Sequence, residues 1–282
     1  MNVAMIKLFG TPLALKGKFY LKCALCCLAL SALSLPLNAH AQNNNPIKVC
    51  AVPQLYQALN FLQDHSTVKF EPHFATANEL YAQISNAPNN DTTLLCDVVL
   101  SSDERLPISL IRSQKAVGSS MYPFVRSPLV VWSADPKLLN GHDPRLLIEQ
   151  KKITSFALAS ANLTPVGFAS NQVVKRNDFR LSLIKDRVYK SDHEYQVYSM
   201  VANGNVQCGL ISKPLIASIN HKTPGSYYQV PRSWHSDIQY YVVLLEQSKN
   251  NALAQQFIKY LISNHQAHDY LKGFGFENIT PE

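Results

Sequence analysis

Apolar and polar positions follow two periods along this chain, and the switches between them outline alternating strands and helices. Ile47–Val52 is a nearly continuous apolar run closed by Pro53, which predicts a strand. From Gln54 onward Leu55, Ala58, Leu59 and Leu62 recur at helical spacing, with Pro53 well placed to open the helix. Val68 and Phe70 then alternate with polar neighbours up to Phe74, and Leu80 and Ile84 mark a short helix beginning at Ala77-Asn78. Asn86–Thr93, rich in Asn, Pro and Asp, is expected to be a loop. Leu94–Leu100 is almost wholly apolar and runs into Ser101-Ser102-Asp103, as a central parallel strand covered on both faces should.

The same style continues to the end of the chain. Strands are expected at Leu129–Trp132, Phe156–Ala159, Val206–Ser212, Tyr227–Val230 and Ile238–Leu245, and helices near Gly167–Val174 and Tyr195–Ala202. Leu253, Phe257, Ile258, Leu261 and Ile262 share one face of a closing helix that stops near Gly273. Strands alternating with helices imply an α/β architecture, with parallel sheets and helices on both faces.

The opening of the chain is of another kind. Lys16, Lys18 and Lys22 precede a largely apolar run from Cys23 to Leu35, followed by Ala39-His40-Ala41. This is the pattern of a cleavable secretory signal peptide, residues 1–41, and the run is shorter than the roughly 20 residues a membrane span needs. Export from the cytoplasm is therefore expected. The whole chain has a formal charge of +7. Without Lys7, Lys16, Lys18 and Lys22 it falls to 22 basic against 19 acidic residues, a net charge near +3. That is too small and too scattered for a nucleic-acid partner. With 46% hydrophobic and 16% charged residues the remainder is globular and not disordered. Cys50, Cys96 and Cys208, all in strand-like surroundings, are expected to be small buried core residues; an oxidising compartment would permit a disulfide, but the fold is not expected to depend on one.

Catalytic signatures are not found in the sequence. There is no nucleophile elbow, no phosphate-binding loop and no zinc-type pairing of Cys or His. His265, His268 and Asp269 are expected on a solvated helix face rather than around a metal, and no cofactor is expected. A hydrolase built on Ser101, Ser102 or His193 ranks last, and would require a nucleophile hydrogen-bonded to a base. What recurs instead is a helix start directly after a strand or short loop: Pro53-Gln54, Ala77-Asn78, Pro165-Val166-Gly167 and His193-Glu194, the last with Asp192 as cap. Unpaired N–H groups and the positive end of the helix dipole make each start a cradle for an anion.

Seven segments in order resemble the periplasmic molybdate-binding proteins of ABC importers, within the type II periplasmic solute-binding proteins. Ala51-Val52-Pro53-Gln54-Leu55 is similar to that family's first strand and helix, and Phe74-Ala75-Thr76-Ala77-Asn78-Glu79-Leu80 to its Phe-Ala-Ser-Ser-Ser-x-Leu. Leu100-Ser101-Ser102-Asp103 resembles its strand ending in Ser-Ala-Asp, and Phe124–Val131 its crossover. Ala159–Gly167, Val201–Ile211 and the close at Tyr260-Leu261 and Gly273-Phe274-Gly275-Phe276 complete the set.

The resemblance implies a type II periplasmic-binding-protein fold. Its two lobes would be residues 42–125 with 236–282 and residues 126–235, mostly parallel in their sheets and joined by crossover strands near Arg126 and Ser236. It implies a monomeric, non-enzymatic carrier of a small anionic solute, molybdate or similar, that serves an inner-membrane permease. The ligand positions it implies are Gln54, Ala77, Val166, Glu194 and Ser212, with Thr76 and Asn78 as substitute donors and Gly167 beside Val166. Both Ser positions of the family are changed, its Tyr has become Ser212, and an acid stands at Glu194. A second reading keeps the scaffold and gives it another task, as an exported sensor or interaction module for an organic or cationic ligand.

Overall fold

The structure, a computed structural model, describes residues 45–87 and 96–279. The leader and most of the Asn86–Thr93 loop lie outside the described residues. Eleven strands form two sheets among the described residues. The first is built from β1 (Ile47–Ala51), β2 (Phe70–Phe74), β3 (Val98–Ser101), β4 (Tyr122–Ser127), β10 (Ile238–Leu244) and β11 (Glu277–Asn278), in the order β11-β4-β10-β3-β1-β2. The second holds β5 (Leu129–Ser133), β6 (Phe156–Ala159), β7 (Val188–Ser191), β8 (Cys208–Ser212) and β9 (Ser226–Gln229), in the order β7-β6-β8-β5-β9. The chain passes from the first sheet to the second between β4 and β5, and returns between β9 and β10.

Each sheet is mixed rather than wholly parallel. β1 pairs in parallel with β2 and β3, and β6 with β7 and β8. β10 is antiparallel to β3 and β4, and β5 is antiparallel to β8 and β9. The reason is the double crossing: a strand that has just come over from the other sheet runs against the direction of the βαβ units of the sheet it joins. Periodicity reports burial and not strand direction, so the expectation of parallel sheets covered only their central strands. These are buried throughout, as β3, β5, β6 and β8 each show at every residue.

The crossings are tied by charge. Arg126 pairs with Asp237 at 3.5 Å and with Glu277 on β11, and Arg232 Nε donates to Asp237 at 2.8 Å. Gln172 bonds Ser236 through both its amide nitrogen (2.9 Å) and its amide oxygen (2.7 Å). These groups hold β4, β10 and β11 where the chain leaves and re-enters the first sheet. Arg232 is the leading influence that lowers the Asp237 carboxyl below its ordinary value, with Arg126 adding to it.

Two expectations are corrected. The closing helix is two helices, α7 (Ala252–Ser263) and α8 (His265–Gly273), because Asn264 adopts an extended backbone and its side chain accepts the Ala267 N–H at 2.9 Å, starting a new helix. Among the described residues no three His, Cys, Asp or Glu side chains are grouped as a metal site would need, and His268 Nε2 lies 2.9 Å from the Leu261 carbonyl. The second correction concerns the cysteines. Cys50 and Cys96 are buried as expected but are joined as a disulfide, while Cys208 is buried and free. Cys50 sits on β1, and Cys96 just ahead of the neighbouring strand β3, with Cα atoms 5.5 Å apart. That adjacency comes from strand register, which the spacing of 46 residues does not reveal.

Closing a loop of 46 residues in the unfolded chain is worth about 4 kcal/mol in the chain-entropy model, and native bridges typically deliver about 2–4 kcal/mol. The double replacement Cys50→Ala/Cys96→Ala is therefore expected to lower the unfolding free energy by about 2–4 kcal/mol. Urea titration of the oxidised parent and the variant checks this, and coincident midpoints would rule the contribution out.

Candidate functional site

Four chain segments with open N-terminal ends meet at one cleft of about 670 Å³. The first is the tight 3₁₀ turn Pro53–Leu55, which leads from β1 into α1 (Tyr56–His65). The second is the start of α2 (Ala77–Asn86), the third that of α5 (Pro165–Val174) and the fourth that of α6 (Glu194–Ala202). Each follows a strand of its sheet, which is where open α/β folds place their ligands.

The local sequence explains each start. Thr76 caps α2 with a capping box, its hydroxyl accepting the Glu79 N–H at 3.3 Å while Glu79 Oε2 accepts the Thr76 N–H at 2.9 Å. Thr164 caps α5, accepting the Gly167 N–H at 2.9 Å, with Pro165 in the first turn. α6 begins at Glu194 with His193, not Asp192, in the cap position. Gln196 Oε1 reaches back to the Asp192 N–H at 2.9 Å and the His193 N–H at 3.3 Å. The third-residue donors of α2 and α5 are thus satisfied within the chain, leaving the N–H groups of Ala77, Asn78 and Val166 as the first-turn donors beside the cleft.

Six of the sequence-identified residues line this cleft: Gln54, Thr76, Ala77, Asn78, Val166 and Glu194. Gly167 and Ser212 do not. Gly167 is there for packing. A Cβ at this position would stand 2.1 Å from the Ser160 carbonyl oxygen, so only glycine lets α5 lie this close to the end of β6. Ser212 sits behind Glu194 at the end of β8, fully buried, and its backbone N–H donates to Glu194 Oε2 at 2.9 Å. Ser101 is buried and bonds the Asp103 N–H, and His193 serves the helix cap, so the nucleophile–base pair a hydrolase needs is not formed between them. Ser102 and Asp103, at the end of β3, line the cleft too, as do residues not expected from sequence, chiefly Tyr81, Arg105, Leu163, Thr164 and Tyr195. Tyr81 lies four residues beyond Ala77 on the same helix face, a spacing that marks it as a neighbour of the α2 start.

Glu194 is the dominant electrostatic feature. It is 1% exposed, with one carboxylate oxygen on the Ser212 N–H and the other accepting from Gln54 Nε2 at 3.3 Å. α6 can lie tightly on β8 because Gly209 has no side chain: a Cβ there would come within 2.4 Å of Val197 Cγ1. Burial pushes the Glu194 carboxyl above its ordinary value, against the Ser212 and Gln54 hydrogen bonds and the His193 charge, which hold it down. Tyr195 and Tyr240 feel its charge in turn, burial being the larger cause of the upward shift of both phenols. Three oxygens in this cluster, Gln54 Oε1, Ser212 Oγ and Tyr240 Oη, are buried with no protein partner. The Gln54–Glu194 bond spans the cleft, as does a longer one from Arg105 to the Leu163 carbonyl at 3.5 Å.

Comparison with known proteins adds relatives to this geometry. The family model of bacterial extracellular solute-binding proteins matches residues 55–277. The molybdate-binding protein ModA of Azotobacter vinelandii is 25% identical over 204 residues, covering 72% of this chain and 77% of the relative. The ModA protein of Rhodobacter capsulatus is 24% identical over the same length. Among solved structures, the periplasmic molybdate-binding protein of Azotobacter vinelandii superposes with a TM-score of 0.67 at 22% identity, covering 84% of this chain and all of that one. The substrate-binding domain of a molybdenum ABC transporter from Clostridium difficile gives 0.66 at 21% identity. The fold is that of the type II periplasmic binding proteins.

The raised carboxyl of Glu194 sets a sign for stability. The folded chain binds this proton more tightly than the unfolded one, so the group loses stability for the fold as pH rises from its ordinary value of 4.5 through its raised value. Within that window the loss is about 1.4 kcal/mol per pH unit. Glu194→Gln is expected to remove this loss, so that the stability gap between variant and parent widens in the variant's favour with rising pH. Urea midpoints from about pH 4 to about pH 8 check it, and parallel curves would contradict it.

Proposed function

The chain belongs to the bacterial extracellular solute-binding proteins, a family of binding proteins and not of enzymes, and we propose that it captures a small oxyanion in this cleft for an ABC importer. The observation that carries the reading is the convergence of the Pro53–Leu55 turn and the starts of α2, α5 and α6 on one cavity. The starts of α2 and α5 contribute the N–H groups of Ala77, Asn78 and Val166, and the helix starts contribute the positive end of their peptide dipoles, so an anion is stabilised there without a lysine or arginine at its centre. The ligand residues are Gln54, Thr76, Ala77, Asn78, Val166 and Glu194, with Ser212 acting through Glu194 and Gly167 through the seating of α5.

The working cycle follows from the two crossings. The first lobe, residues 42–125 with 236–282, and the second, residues 126–235, close on the solute, and the closed form docks on a permease in the inner membrane. The protein is exported through its leader, works as a monomer in the periplasm and needs no cofactor. Its molybdate-binding relatives favour a tetrahedral oxyanion of the molybdate or tungstate kind. Glu194 favours a second reading, in which the same cleft serves a sensor or interaction module and takes an organic or cationic solute.

Calorimetry and thermal shift of residues 42–282 with molybdate, tungstate, sulfate, phosphate and arsenate test the oxyanion reading. At least one is expected to bind with a measurable heat, and at 100 times its Kd to stabilise the fold by about 2.7 kcal/mol. Absence of heat and of thermal shift with all five would reject it.

A further inference from the structure

We propose that the end of the second sheet remote from the cleft is a docking face for an anionic phospholipid membrane surface. This face is separate from the cleft, and its role does not depend on what the cleft holds. The net charge near +3 of residues 42–282 hides a division. Residues 126–235 hold 14 Lys and Arg against 7 Asp and Glu, whereas the rest hold 8 against 12. The basic excess belongs to the stretch between the two crossings.

Strand direction says where that excess gathers. β6, β7 and β8 are parallel and run toward the cleft, since Thr164 after β6 and Glu194 after β7 line it. Lys151 and Lys152 precede β6, and Lys185 and Arg187 precede β7, so all four lie at the opposite end. A chain of hydrogen bonds draws the two pairs together: Arg187 Nη1 donates to Thr154 Oγ1 at 3.4 Å, Thr154 Oγ1 to Gln207 Oε1 at 3.0 Å, and Gln207 Nε2 to the Lys152 carbonyl at 3.4 Å. All four cations are exposed. Neighbouring acids are taken by other arginines, Asp143 and Asp178 by Arg145 and Glu149 by Arg180, while Asp186 adds one negative charge beside the four.

Charge alone would suit any acidic partner, and the apolar part of the face selects a membrane. Helix α4 (Pro144–Glu149) packs on the 3₁₀ segment Leu181–Arg187, with Arg180 and Glu149 paired at 3.0 Å. α4 buries Leu147 and Ile148, and the 3₁₀ segment sets Leu181 and Ile184 against the core. Leu146 and Leu183 are left outward, 54% and 61% exposed, on elements that carry or lead into the two cationic pairs. Leucines among lysines and arginines are what an interfacial surface presents: the cations meet lipid phosphates and the apolar side chains enter the acyl boundary. A nucleic acid or an acidic protein would use the cations and leave the leucines in water. The 4 residues of β6 set this face about 13 Å from the cleft end of the sheet, so a docked protein keeps its cleft open to solute.

Co-sedimentation of residues 42–282 with phosphatidylcholine vesicles, with and without phosphatidylglycerol, tests this. Binding is expected only where phosphatidylglycerol is present, falling at least about tenfold between about 0.05 M and about 0.5 M salt. Lys151→Glu/Lys152→Glu and Lys185→Glu/Arg187→Glu are each expected to weaken it at least about tenfold. Lys69→Glu/Lys259→Glu, an equal change of charge beside the first sheet, is expected to stay within about twofold of the parent. Leu146→Ser/Leu183→Ser is expected to weaken binding about fivefold or more at unchanged charge, with circular dichroism confirming that every variant folds. A parent that fails to sediment with phosphatidylglycerol vesicles at low salt would overturn the proposal, as would equal losses in the cationic-pair and Lys69/Lys259 variants. Unchanged binding by folded Leu146→Ser/Leu183→Ser would assign the face to an acidic macromolecule and overturn the membrane reading too.

Discussion

An α-helix cannot satisfy its own first N–H groups, and the arrangement of this protein turns on where those groups find partners. Three helices and a 3₁₀ turn begin at the ends of strands drawn from two different sheets, and all begin at the same cleft. Inner caps close off some donors: Thr76 and Thr164 hold the Glu79 and Gly167 N–H groups. What is left is a small set of oriented backbone donors, set among apolar residues such as Val52, Leu106 and Val166 and the charged side chains of Asp103, Arg105 and Glu194. The double crossing of the chain makes this convergence possible, since it places helix starts of both sheets on facing walls. The Arg126, Asp237 and Glu277 cluster fixes the geometry of the crossings.

Glu194 breaks the local rule that the rest of the site obeys. An acid in the first turn of a helix is ordinarily favourable, because it faces the positive end of the dipole. Buried at 1% exposure it carries a desolvation cost of several kcal/mol, of which two hydrogen bonds, each worth about 1.5–3 kcal/mol to a charged group, recover a part. A fold assembled only for stability would place an apolar side chain or a glutamine here. Local conflicts of this kind concentrate at functional sites, and this one stands on a cleft wall, in a family whose members bind solutes.

Much of this was legible from the sequence because it is written in short-range signals. Leu55 on the 3₁₀ turn and Leu59 and Leu62 on α1 are all fully buried, as their spacing implied, and the helix starts at Ala77 and Pro165 coincide with residues whose caps announce them. What escaped was long-range. Strand direction at β5 and β10 depends on which sheet a strand joins, and the Cys50–Cys96 bridge depends on register between strands 46 residues apart in sequence. Arg105 and Tyr195 reach the cleft through α3 (Arg105–Arg112) and α6, and no pattern in the chain distinguishes them from other surface residues. The inward turn of Glu194 had the same cause: Gly209 makes room for α6 on β8, and a glycine in an apolar strand says nothing by itself about which helix will lie over it.

The energetics of the cleft follow from the same distances. Among the described residues two side-chain bonds cross it, Gln54 to Glu194 at 3.3 Å and Arg105 to the Leu163 carbonyl at 3.5 Å, both long for their type. Neither approaches the stabilisation of the ladders within each sheet, where β4–β10 and β5–β8 are paired residue by residue. Separation of the facing walls therefore costs little beside unfolding of either sheet, and the groups it would uncover are those that lack partners inside the protein: Gln54 Oε1 and the first-turn N–H groups. A solute that satisfies both kinds at once contributes more to holding the walls together than the two crossing bonds do. That asymmetry, rigid sheets meeting at a weakly tied and polar-unsatisfied seam, is what a capture device requires of its scaffold.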